Sequence, residues 1–190
     1  MQWKEEDMAE ALKVLRNSGT LLYPTDTIWG IGCDATDALA VDKIYALKKR
    51  TDKKAMIILL ADERDIMHWI AAPDPEIFDF LDKLQKPTTI IFEGALGLPE
   101  NLIAENGSVA IRLVKDPFCK HLIKRLGRPI VSTSANISGY PYPVNFQAID
   151  KEIRTGVDHV VIYRQQELAL HKPSALVQWR SGEKPLVIRE

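Results

Sequence analysis

Three clusters of residues in this chain have the types and spacing to do chemistry. Lys48-x-Arg50, followed by Lys54, places cations where a helix gives way to a strand. Arginine offers a planar fork to two phosphate oxygens and lysine a compact charge, so together they can neutralise a triphosphate without a P-loop. The same cations also suit a solvated helix C-terminus, where the macrodipole favours them. Ser132-Thr133-Ser134-Ala135-Asn136-Ile137-Ser138-Gly139 puts hydroxyls and an amide directly after a short apolar strand. Such a segment can bind phosphate or carboxylate through side chains and backbone N–H groups, or cap its own turn. Thr25-Asp26-Thr27 presents three small polar side chains at the exit of another strand, a common setting for ligand sites.

Other chemistries find little support. His68, His121, His159 and His171 show no metal-ligand spacing, and no GxSxG elbow surrounds any serine. There is no GxxxxGK[ST] loop; Gly30-x-Gly32-x-x-Ala35 fits the loose dinucleotide fingerprint, but a glycine-permitted tight turn is the favoured reading. Cys33 and Cys119 are far apart and outside any CxxC spacing, so we expect reduced thiols and a cytoplasmic location. Lys plus Arg number 25 against 26 Asp plus Glu, a net charge of −1, so no global basic excess points to nucleic acid or anionic membrane. The polar, acidic start is no secretory signal, and no apolar run approaches the ~18 residues of a membrane span. The 190 residues read as one domain.

Positioning the three clusters requires a sheet. Met8, Leu12 and Leu15 at helical spacing predict a helix over Glu5–Asn17 with Gly19 as its stop, followed by a strand over Thr20–Tyr23. Asp37 can cap a second helix that ends at Lys48-Lys49-Arg50. Ala55–Leu60, continuously apolar, predicts an inner strand covered on both faces. Helices are expected over Asp62–Ile70 and Asp74–Leu84. Further strands are expected over Thr88–Phe92, Val109–Leu113, Ile130–Ser134, Val160–Tyr163, Ala175–Val177 and Leu186–Ile188. Gly94–Pro99 and Tyr140–Asn145 read as loops. Without strict βαβ alternation near the end, the fold class is α/β with a large mixed sheet.

Five segments, in order, resemble the motifs of the YrdC/TsaC (YciO/YrdC-like) threonylcarbamoyl-AMP synthases. They are Pro24-Thr25-Asp26-Thr27-Ile28-Trp29-Gly30-Ile31-Gly32, Lys48-Lys49-Arg50, Ser108-Val109-Ala110-Ile111-Arg112, Ser132 to Gly139, and Pro173-Ser174-Ala175-Leu176-Val177. The resemblance implies a YrdC-like single domain over residues 1–190, its twisted mixed sheet flanked by helices around a concave ligand cleft. It implies an L-threonylcarbamoyladenylate synthase, a nucleotidyltransferase that condenses L-threonine, bicarbonate and ATP and releases pyrophosphate. A separate transferase complex would then modify a tRNA adenosine.

By the same resemblance, Lys48 and Arg50 are the catalytic cations on the triphosphate, with Lys54 a third. Ser134 and Asn136 hold the phosphates, Ser108 contributes nearby, and Arg189 is a further nucleotide contact. Thr25, Arg112, Ser132 and Ser174 form the threonine pocket, in which Arg112 pairs the carboxylate. Mg²⁺ accompanies ATP through phosphate oxygens and water, without a dedicated protein metal site. Some positions depart from the pattern: Thr51 where many members have proline, Lys54-Ala55 for a frequent Asn-Pro, Leu59 where some longer members have histidine, and Ala175 for threonine. The competing functions are a YciO-type paralogue with a different reaction, and a binder of tRNA or double-stranded RNA through Lys48, Lys49, Arg50, Lys53 and Lys54.

Overall fold

The apolar stripe of the first helix, α1 (Glu5–Arg16), comprises Met8, Ala11, Leu12 and Leu15, all buried. It packs on α5 (Pro117–Leu126), whose Phe118, Cys119, Leu122, Ile123 and Leu126 form the facing stripe. The computed structural model describes residues 2–50 and 56–190. Asp116 caps α5 by accepting from the Cys119 N–H at 2.9 Å, Pro117 starts it, and Gly127 at φ +74° stops it. α2 (Ala38–Leu47) is capped as expected, its Asp37 carboxylate accepting from the Leu39 and Ala40 N–H groups.

Between these helices runs a mixed sheet of β1 (Leu21–Tyr23), β2 (Gly30–Gly32), β3 (Ile57–Leu60), β4 (Thr88–Phe92), β5 (Val109–Leu113), β6 (Ile130–Ser134), β7 (His159–Val160), β8 (Ala175–Gln178) and β9 (Leu186–Arg189). Their order is β7-β1-β2-β6-β3-β5-β4-β8-β9. Register decides which side chains share a face. Gly30 lies opposite Ser134, Ile57 opposite both Ser132 and Ala110, and Leu59 opposite Arg112. With alternation along each strand, Tyr23, Gly30, Ser132, Ile57, Leu59 and Arg112 all belong to one face. Helices α1 and α5 cover the part that carries Leu21, Tyr23, Leu59 and Ile130. Leu22, Ile31, Ile58, Leu60 and Val131 point the other way, into a second core shared with α2. β3 is therefore covered on both faces, as its unbroken apolar run predicts. What the two helices leave uncovered on the first face is the cleft described below.

Several boundaries differ from expectation for local reasons. The segment 62–70 is a 3₁₀ turn, Glu63–Asp65, and a single-turn α3 (Ile66–Trp69) rather than one helix, and the next helix is α4 (Glu76–Asp82). Ser18, at φ 56°, makes the left-handed exit from α1; Gly19 is needed because a Cβ there would lie 2.7 Å from the Val14 carbonyl oxygen. β7 pairs with β1 only through His159 and Val160, because Asp7 accepts from the Ile162 and Tyr163 N–H groups and draws the chain off the sheet. Neither α5 nor the short α6 (Lys151–Gly156) has bounds among the elements expected from the sequence.

Gly32 sits under the Tyr23 ring, which reaches across it to donate its hydroxyl to the Val131 carbonyl at 3.1 Å. A Cβ on Gly32 would meet the Val131 oxygen at 2.3 Å and the Tyr23 ring at 2.6 Å. Gly32→Ala is expected to cost about 3 kcal/mol by overpacking, read as a lower urea midpoint with unchanged slope.

Candidate active site

Arg112 projects from β5 onto the open part of the sheet face, beneath the turn that joins β1 to β2. It is 3% exposed, and its Nη2 lies 3.2 Å from Asp26 Oδ1. That approach lacks hydrogen-bond geometry, leaving the Arg112 Nε and Nη2 donors and Asp26 Oδ1 unmatched within the protein. The other oxygen of Asp26 accepts from the Lys115 N–H at 3.1 Å. Unfilled guanidinium donors out of water are costly, and an incoming anion with two oxygens matches them.

Around Arg112 lies a cleft of about 210 Å³ lined by Thr27, Ile28, Gly30, Ser132, Ser134, Tyr142, Pro173, Ser174 and Arg189, among others. Gly30 lets β2 lie close to Ser132, since a Cβ would stand 3.0 Å from the serine hydroxyl. Ser174 is buried, its hydroxyl 2.8 Å from that of Thr89. Arg189, on the last strand, donates to the Ser174 carbonyl from Nε at 3.2 Å and from Nη2 at 2.9 Å, bringing the end of the chain to the cleft wall.

A second depression of about 520 Å³ continues from the first and shares Thr133 and Ser134 with it. Its remaining walls are Lys48, Lys49, Arg50, Asn136, Ser138 and Gly139, so the two segments singled out by charge and by hydroxyl content meet here. Lys48, 3% exposed, ties them together. Its ammonium donates to the Ser134 carbonyl at 2.5 Å and the Asn136 carbonyl at 2.6 Å, and its own carbonyl accepts from the Ser138 N–H at 2.9 Å. Burial, and secondarily the Arg50 guanidinium, push this ammonium down to about 8. The Arg50 guanidinium stands 5.8 Å from the centre of the Tyr45 ring. Asn136 donates to the Ile137 and Tyr140 carbonyls, while its Oδ1 is buried without a partner.

The residues expected at the site thus fall into groups. Arg112, Ser132, Ser174 and Arg189 line the first cleft, Lys48, Arg50 and Asn136 the second, and Ser134 both. Thr25 is outside the lining: its hydroxyl donates to the Ile28 carbonyl and accepts from the Thr27 N–H, so it shapes the turn while Thr27 and Ile28 face the cleft. Ser108 likewise serves a local turn, bonded through Oγ and N–H to Asn106 Oδ1, and lines neither depression. Lys54 lies outside the described residues. Leu59 is core under α5. Thr27 and Thr133 lie in segments that the sequence singles out, without an individual role there; Tyr142 is the lining residue that sequence reasoning missed, since it comes from the proline-containing loop with no periodic signal. No group of three or more His, Cys, Asp or Glu suited to a metal occurs among the described residues.

Comparison with known proteins places this geometry in context. A family model described as "Telomere recombination" (Sua5/YciO/YrdC) matches residues 13–190. The threonylcarbamoyl-AMP synthase of Stutzerimonas stutzeri is 32% identical over 185 residues, covering 95% of each chain. That of Stenotrophomonas maltophilia is 30% identical over 161 residues, covering 83% of this chain and 87% of the relative. Among solved structures, Pyrococcus abyssi Sua5 complexed with L-threonine superposes with a TM-score of 0.87 at 21% identity, over all of this chain and 55% of that one. The present chain thus spans about half of that protein's length. Escherichia coli YciO gives a TM-score of 0.84 at 21% identity over 98% of this chain and 90% of its own.

The position of Lys48 yields a pH test. Its folded value of about 8 lies below the unperturbed 10.5, so between the two the unfolded chain binds more protons. Stability from this group therefore rises as pH increases from about 8 towards 10.5. In urea titrations across that range, wild type is expected to gain stability relative to Lys48→Met; parallel curves would contradict the burial of a charged ammonium.

Proposed function

This chain belongs to the Sua5/YciO/YrdC family, and from that premise we propose that it is an L-threonylcarbamoyladenylate synthase: a nucleotidyltransferase that makes threonylcarbamoyl-AMP and pyrophosphate from L-threonine, bicarbonate and ATP. The observation that carries this assignment is the juxtaposition of a buried Arg112 with unmatched donors and a cationic depression that shares Thr133 and Ser134 with its cleft. One part suits an amino-acid carboxylate, the other a polyphosphate. The L-threonine complex of the P. abyssi relative and the names of the curated relatives agree with it.

In the proposed reaction the threonine amine and bicarbonate lose water to give an N-carboxylate. One of its oxygens attacks the α-phosphorus of ATP, a P–O bond forms there, and the bond to the β-phosphate oxygen breaks to release pyrophosphate. Arg112 holds the α-carboxylate with a charge-assisted pair worth about 1.5–3 kcal/mol. Ser132 and Ser174 flank the same cleft and orient the amino acid. The 132–139 segment presents the phosphates, Arg50 neutralises charge that builds on the leaving pyrophosphate, and Lys48 fixes the shape of that segment through the Ser134 and Asn136 carbonyls. Arg189 closes the nucleotide side of the first cleft. Asn136 Oδ1, a buried oxygen without a hydrogen-bond partner, would be the protein oxygen available to Mg²⁺ arriving with the nucleotide, which would otherwise be held by phosphate oxygens and water and would add neutralisation of the phosphates. The product passes to a transferase that modifies a tRNA adenosine. Cys33 and Cys119, both buried free thiols, suit a reducing cytoplasm, and no helix among the described residues is long and apolar enough to cross a membrane.

The assignment is tested by incubating the protein with ATP, Mg²⁺, bicarbonate and L-threonine and detecting threonylcarbamoyl-AMP by mass spectrometry, omitting each component in turn. The adduct is expected only with all four. Arg50→Ala is expected to lower turnover at least about 100-fold with an unchanged melting temperature. ATP binding without any adduct would refute the synthase and favour the paralogue.

A further inference from the structure

The turn 24–28 roofs Arg112 and is tied to the rest of the molecule in two ways: through Asp26, which meets Arg112 and accepts from the Lys115 N–H, and through the Pro24 and Thr25 carbonyls. Arg164 is the centre of the second. Its Nη1 donates to the Thr25 carbonyl at 3.1 Å and to Asp116 Oδ2 at 3.0 Å, and its Nε pairs with Glu167. Asp116 is simultaneously the cap of α5, and α5 reaches the same turn again through the Cys119 thiol, 3.3 Å from the Pro24 carbonyl. Glu167 lies 3.5 Å from His171 in the segment that leads to Pro173 and Ser174 on the opposite wall. Arg164 adopts φ +66°, a conformation with a steric cost for a residue bearing a Cβ, which the surrounding contacts must offset.

We infer that Arg164 is a positioning residue for amino-acid binding: it touches no substrate, but holds the turn carrying Thr27 and Ile28 in register with α5. Thr25 and Asp116 come from distant parts of the chain while Glu167 is a local partner, so the guanidinium fork sets the placement of the 24–28 turn against the start of α5. A lysine ammonium lacks the planar fork that reaches Thr25, Asp116 and Glu167 from separate nitrogens, so Arg164→Lys should loosen the turn and Arg164→Ala should release it.

This inference rests on the threonine pocket proposed above, so its test has a readout independent of that pocket. Calorimetric titration of wild type, Arg164→Lys and Arg164→Ala with L-threonine is expected to show affinity falling about threefold and about tenfold, while ATP affinity stays within about twofold. Hydrogen exchange at the Thr27 amide, which bonds to Thr25 Oγ1, is expected to quicken at least about tenfold in Arg164→Ala, while exchange at Val131 stays unchanged. Arg164→Lys supplies the comparison if the alanine variant does not fold. Unchanged threonine affinity in a folded variant overturns the inference, as does equal loss of threonine and ATP affinity. If wild type itself binds no threonine, the proposed function fails; the clamp is then judged on the Thr27 amide alone, where faster exchange supports it and unchanged exchange overturns it.

Discussion

A guanidinium buried in a sheet face with donors unmatched is the constraint around which this molecule is arranged. Desolvating such a charge costs several kcal/mol, and a single carboxylate at poor hydrogen-bonding geometry does not restore what water supplied. Asp26 is held in place by the Lys115 N–H, so it steadies Arg112 electrostatically without occupying its fork. The remaining requirement is an anion, and the surroundings leave room for one. Gly30 contributes no side chain, Ser132 and Ser174 contribute small hydroxyls, and α1 and α5 end their coverage of the sheet before reaching this part of the face.

The same economy of coverage explains why two depressions adjoin. β6 runs from the core under α5 out to Ser134, and the segment beyond it bends back over the end of α2 because the Lys48 ammonium draws the Ser134 and Asn136 carbonyls together. A lysine that the sequence presents as a free cation is instead the post of a loop, and Arg50 is the guanidinium of the motif on the wall of the depression. Catalysis by positioning and charge neutralisation asks for this: groups fixed before the substrate arrives, so that little reorganisation remains for the transition state.

Much of the fold is legible in the sequence because burial is written as periodicity. Thr88–Phe92, Val109–Leu113 and Ile130–Ser134 are strands over the expected residues, and Asp37 caps α2 as its side chain predicts. Expectation fails where one long-range bond overrides the local pattern. Val160–Tyr163 is apolar enough for a strand, yet the Asp7 carboxylate, 155 residues earlier than Ile162, captures its amides and shortens β7. At the site, Arg112, Ser132 and Ser174 line one depression and Arg50 and Asn136 the other. Thr25 and Ser108 carry the same hydroxyl chemistry but use it within their own turns, a difference that residue type cannot express. Tyr142 reaches the cleft from a loop whose path is set by tertiary contacts, so no spacing announces it.

The central claim, that the unmatched donors of Arg112 exist to receive an amino-acid carboxylate, is tested most directly by calorimetric titration of the protein with L-threonine and, in parallel, with L-threoninol, which keeps the amine and hydroxyl but has no carboxylate. The account predicts that L-threonine binds and that L-threoninol binds about 10- to 150-fold more weakly, the loss expected for a charge-assisted pair of about 1.5–3 kcal/mol. Equal affinity for the two compounds would contradict it.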